Sequence, residues 1–164
     1  MDTNKIAKEI IKKNNMNNLD YPDIVKIVNN YGISLHYGDL CGSESFLKYN
    51  SKKDNFEIHV DKSLDDKTKR FCIAMEFSRY YLDRDKIKNN KLVYTGNVLS
   101  EDYDSEIEKD IFDLATNLLI PDNCFRKIDD RTFDSIDSLS SKYAVDESSM
   151  LYKILKMTLN KNYQ

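Results

Sequence analysis

Apolar residues in this chain follow helical spacing near the N-terminus, alternate strictly at intervals between residues 33 and 60, and return to helical spacing beyond residue 65. In the first stretch Ile6, Ala7 and Ile10 make a short apolar stripe. Thr3 or Asn4 can cap it, and Lys5–Glu9 and Glu9–Lys13 pair on its wet side. Asp20, Tyr21, Pro22 and Asp23 begin a second helix carrying Ile24, Val25, Ile27 and Val28, which Gly32 closes by taking a positive φ.

Ile33–Tyr37 and Phe56–Val60 alternate as half-buried strands do, and Phe46–Tyr49 can run between them. With the polar turn Asn50–Asn55, the pattern predicts a three-stranded antiparallel meander with one apolar face. So small a sheet needs helices against that face.

Asp65 or Asp66 caps a central helix that ends at Asp83-Arg84-Asp85. Lys86 to Tyr103 reads as a long polar loop with one short extended piece near Leu92-Val93-Tyr94, and apolar interruptions again at Val98-Leu99. A further helix runs from Ser105 to Ile120, opened by the capping-box spacing Ser105-x-x-Glu108 and stopped by Pro121. Its core stripe is Ile107, Ile111, Leu114 and Leu118. Glu106, Asp110, Asp113 and Asn117 form a second, polar stripe. Two last helices span about Thr132–Tyr143 and Glu147–Leu159. The expected fold is α+β, helices on a small three-stranded antiparallel sheet. One domain covers 1–164: helices and sheet to 65, the two central helices to 121, and C-terminal helices from 122 to 164.

Charge narrows the function classes. Of 164 residues 32% are charged, yet the formal net charge is only -3, which is not the basic footprint of a nucleic-acid binder. Apolar runs such as Leu118-Leu119-Ile120 are too short to span a bilayer, and Met1–Lys5 has no apolar run of signal-peptide length. A cytoplasmic protein away from membranes is expected. Cys41, Cys72 and Cys124 form no Cys-x-x-Cys pair and read as reduced thiols. His36 and His59 fall on the polar phase of their strands. A metal site using both needs a carboxylate or thiol nearby, and the sequence alone displays none.

The candidate chemistry lies in the central helix, Lys69-Arg70-Phe71-Cys72-Ile73-Ala74-Met75-Glu76-Phe77-Ser78-Arg79-Tyr80-Tyr81-Leu82. A zinc-peptidase helix carries His-Glu-x-x-His, since residues four apart share a face and hold one ion between them. Here Met75, Glu76 and Arg79 occupy that frame: the glutamate is present and both histidines are absent.

Arg70-Phe71-Cys72-Ile73-Ala74-Met75-Glu76-Phe77-Ser78-Arg79, followed by Leu114-Ala115-Thr116-Asn117-Leu118-Leu119-Ile120-Pro121, resembles the ImmA/IrrE family of zinc metallopeptidases over about residues 22–159. That family runs helices, a small sheet, an Arg-Phe-x-x-Ala-His-Glu-x-x-His helix and a helix ending Phe-Ala-x-x-Leu-Leu-Met-Pro. The resemblance puts the zinc histidines on Met75 and Arg79, the general base on Glu76, and the third ligand on Asp110, with Glu108 as a second acidic position. It implies a zincin-like fold and, as partner, a helix-turn-helix repressor of a mobile element or prophage.

Methionine is a poor zinc ligand, and arginine has no lone pair to offer. The expectation is therefore a pseudoenzyme that regulates by binding protein, without cofactor. In it Arg79 bridges Glu76 and Asp110 (or Glu106) where the metal would sit, and Met75 fills the other ligand's volume. The alternatives are an active metallopeptidase with an atypical zinc site, drawing on Cys72 with His36 or His59, and a DNA-binding regulator. The latter would use the helix–turn–helix-like run Leu139–Leu151, where acidic and basic residues between 129 and 164 offset each other and offer little phosphate attraction.

Overall fold

The structure, a computed structural model, describes residues 1–16, 21–90, 94–95, 105–122 and 135–161. Helix α1 (Thr3–Lys13) is capped by Asp2, whose carboxylate accepts from the Lys5 amide at 3.0 Å, so the cap lies one residue before the expected Thr3. Helix α2 (Ile24–Asn30) is capped by Asp23. It ends in a Schellman motif, with Gly32 at φ +73° donating to the Asn29 carbonyl and Ile33 donating to that of Val28.

Strands β1 (Ser34–Gly38), β2 (Ser45–Asn50) and β3 (Asn55–Asp61) make a three-strand mixed sheet, extended by the two-residue β4 (Tyr94–Thr95) in the order β1-β3-β2-β4. This corrects the expected antiparallel meander. β2 and β3 form the expected hairpin, but β1 pairs with β3, and in parallel, Leu35 opposite Ile58 and His36 opposite His59. The 39–44 connection carries the chain over the end of β3. Asp61 secures it, accepting from the Leu40 amide (2.9 Å) and donating its own amide to the Glu44 carbonyl (2.8 Å). The central place goes to the strand with most to bury. Ile58 and Val60 are fully covered on one face and Glu57 is 3% exposed on the other.

Helix α3 (Asp66–Asn90) lies across the inner sheet face, and Asp65 caps it through the Lys67 and Thr68 amides. It extends past the expected stop at Asp85. Asp83 and Lys86, 3.4 Å apart, form an i,i+3 ion pair within it, and Ile87 is buried. The expected extended piece survives as β4. Leu92, Val93, Val98 and Leu99 lie outside the described residues, as do Asp20, Cys124 and Thr132–Asp134.

Helix α4 (Ser105–Leu119) packs on α3 from the side away from the sheet, with α1 against it. Ile111, Leu114 and Leu118 are buried as the core stripe requires. Helices α5 (Ile136–Lys142) and α6 (Glu147–Lys161) follow, and α6 also meets α4. With Leu47, Ile58, Ile73, Ala74, Phe77 and Leu114 between them, sheet, α3 and α4 share one core. Each large apolar side chain there contributes about 1.5–3 kcal/mol.

Candidate functional site

Glu76 and Arg79 sit one helical turn apart on α3, on its buried side. Glu76 is 2% exposed and Arg79 6%. Ser45, the first residue of β2, donates its hydroxyl to Glu76 Oε1 at 2.9 Å. Arg79 Nε lies 3.4 Å from Glu76 Oε2. The two terminal nitrogens of Arg79 fork onto Glu108 of α4, Nη2 donating to Oε2 at 3.1 Å and Nη1 to Oε1. Burial pushes the Glu76 carboxyl above its ordinary pKa, opposed by the Arg79 charge and the Ser45 hydroxyl. Burial works against the charged form of Arg79 too, but Glu108 and Glu76 outweigh it and raise its pKa. Arg79 is therefore a fixed cation between two carboxylates.

The third member differs from the expected one. Asp110 lies 3.7 Å from the N-terminal amine of Met1, and Glu108 takes the place beside Arg79. Two residues on a helix are turned about 200° from each other, so Glu108 and Asp110 cannot face the same neighbour. The Ser105-x-x-Glu108 spacing suits a capping box, but the Glu108 carboxylate is committed to Arg79. Glu106 is exposed, and Met75 is partly buried against the core.

The Arg-Phe pair of the motif has a structural place. Arg70 Nη2 donates to the Pro22 carbonyl (2.9 Å) and Nη1 to the Tyr143 carbonyl (3.0 Å), joining α3 to the start of α2 and the end of α5. Its guanidinium also lies over the Tyr21 ring, 4.7 Å from the centroid. A cavity of about 790 Å³ opens beside it, lined by Tyr21, Ile24, Tyr37, Lys69, Arg70 and Ile73 among others, but by neither Glu76 nor Arg79.

The suggested Cys–His pairing does not form. Cys72 is buried on α3 beneath the inner sheet face, and burial pushes its thiol up to about 11. His36 and His59 are on the opposite, outer face. There β1 and β3 bring them side by side, rings stacked at 4.8 Å, with Phe46 of β2 stacked at 4.6 Å on the far side of His59. Glu57, two residues before His59, shares this face, and one ligand atom from each of His36, Glu57 and His59 lies within 4.8 Å of the others. The carboxylate that a two-histidine site requires is thus present. Glu57-x-His59 was its visible half, but β2 set between β1 and β3 would have kept His36 away.

In the C-terminal helices, Lys153 is buried between Asn117 (2.6 Å) and Asp122 (2.5 Å), and Lys156 pairs with Asp113. No helix among the described residues is long and apolar enough to cross a membrane.

No curated protein matches the chain in sequence. A transcriptional regulator of Mycobacterium tuberculosis has a similar structure, with a TM-score of 0.60 and 14% identity, over 93% of this chain and 46% of that one. At that identity the likeness is one of fold, and this chain spans about half of that protein's length. The IrrE N-terminal-like domain of the M78 peptidase family matches residues 29–155, which hold the sheet, the α3 motif and α4. The chain belongs to the IrrE N-terminal-like family.

Proposed function

We propose that this chain is a non-catalytic member of its family, a regulator that acts by binding protein. The observation that carries this reading is the Arg79 guanidinium, held between Glu76 and Glu108. A catalytic zinc ion needs three protein donors and an open position for water. The family's ligand positions offer a thioether at Met75 and a permanent cation at Arg79. A dication beside that guanidinium would meet repulsion, and the carboxylates are already neutralised. The donor set does not fit zinc, so Glu76 has no metal-bound water to deprotonate.

The partner class is taken from the family resemblance: a helix-turn-helix repressor, such as one silencing a mobile element or prophage. DNA binding by the chain itself is disfavoured because Lys153 and Lys156 of α6 are spent on Asp122 and Asp113 rather than offered to phosphate.

The test is incubation of the purified chain, with zinc present, with a helix-turn-helix protein encoded beside it. A stable complex in which mass spectrometry finds the repressor intact is the expected result. Cleavage that disappears in Glu76→Gln would overturn the non-catalytic reading, and absence of any complex would overturn the choice of partner.

A further inference from the structure

The outer sheet face presents a second set of donors, away from the helix motif. We propose that His36, Glu57 and His59 form a binding site for a borderline divalent transition-metal ion of the zinc type. Two imidazoles and a carboxylate are a donor set suited to such ions, and three protein ligands leave one position for water. Their ligand atoms already lie within 4.8 Å of one another, so small side-chain rotations bring them to bonding distance of a common centre.

The surroundings support this use. The parallel register fixes His36 opposite His59, and the i,i+2 spacing on β3 puts Glu57 on the same side. Glu57 is 3% exposed, and its Oε1 accepts from Asn50 Nδ2 at 2.8 Å, which holds the carboxylate plane and leaves Oε2 towards His59 at 3.4 Å. Outer partners of this kind orient a metal ligand. Phe46 covers the other side of the His59 ring, stacked at 4.6 Å, which holds the plane of that imidazole.

One neighbour opposes the ion. Lys48 Nζ lies 3.0 Å from Glu57 Oε2 and must swing away when metal arrives. Its side chain is about one-third exposed, so solvent is within reach. Lys53, 3.3 Å from Oε1, is on the side that metal does not need. The site is therefore a competition between the Lys48 ammonium and a metal ion for one carboxylate oxygen.

The test is titration of the purified, untagged chain with Zn2+, followed by calorimetry and by the nitrogen resonances of the two histidine rings. One equivalent is expected to bind, shifting both rings. His36→Ala, at an exposed position, should weaken affinity by at least about tenfold. Lys48→Ala should tighten it, and Asp110→Asn should leave it unchanged. Absence of saturable binding, or binding that persists in the His36→Ala/His59→Ala chain, overturns the proposal. So does binding lost in Asp110→Asn, which would place the ion at the helix motif and count against the non-catalytic reading instead.

Discussion

Arg79 of α3 and Glu108 of α4, 29 residues apart in sequence, meet as a two-pronged pair, with Nη2 and Oε2 3.1 Å apart. The pair joins the two longest-packed helices through their polar faces, and Glu76 completes it from within α3. Removing the cation strands a carboxylate that is 2% exposed. Arg79→Met is expected to lower unfolding free energy by about 3–5 kcal/mol. Glu76→Gln keeps an acceptor for Ser45 and removes a buried charge, so it should change stability by no more than about 1 kcal/mol. Urea unfolding of both variants checks this; equal losses would mean that Arg79 acts by volume alone.

Acid should weaken the sheet through Glu57. Hydrogen bonds from Asn50, and then from Lys48, His59 and Lys53, hold its pKa at about 2 against an ordinary 4.5. The folded chain binds that proton less tightly than the unfolded chain, so the stabilisation is complete above about 4.5 and is lost as pH falls towards 2. Glu76 acts in the opposite sense, because burial raises its pKa and acid relieves a buried charge. The difference in stability between the wild-type chain and Glu57→Gln isolates the first effect. It should shrink steadily as pH is lowered through that window in denaturation curves.

Ala144 sits at φ +50°, just past α5, where its amide donates to the Ser141 carbonyl and that of Val145 to Ser140. This is the position that glycine takes in most helix ends of this form, because a Cβ is crowded in the left-handed region. Ala144→Gly relieves a left-handed penalty of roughly 1–2 kcal/mol and adds glycine's greater loss of chain freedom, so it should stabilise the chain by about 0.5–1 kcal/mol and raise its thermal midpoint in calorimetry.

Arg70 binds backbone carbonyls of Pro22 and Tyr143 that are far apart in sequence. Arg70→Ala should cost about 2–3 kcal/mol, since charged hydrogen bonds are lost at both ends. Arg70→Lys should recover only part of this in urea unfolding, because a compact ammonium lacks the two spaced terminal nitrogens that reach one carbonyl each.

The helices were legible in the sequence because their apolar spacing and caps are local. Asp65, Gly32 and the Ile111, Leu114, Leu118 stripe all perform as their neighbours in sequence imply. Strand order was not, since Leu35 alternates equally well beside β2 or β3 and nothing nearby in sequence chooses between them. The same holds for the carboxylate beside Arg79. Glu108 and Asp110 both lie on α4 at plausible distances, and the rotation of α4 about its own axis, set by its packing against α1 and α3, selects Glu108.

The place of β3 between β1 and β2 also sets an order of assembly. The β2–β3 hairpin closes over the four residues 51–54, whereas β1 can pair only after its chain has passed over the end of that hairpin. Of the three longer strands β1 is then the last in and the first out, held on one side by β3 and backed by α2. Amide hydrogen exchange under mild denaturant should show β1 opening while β2 and β3 remain protected. An ion gripping His36 together with His59 would erase that difference by making the latest strand as hard to remove as the earliest.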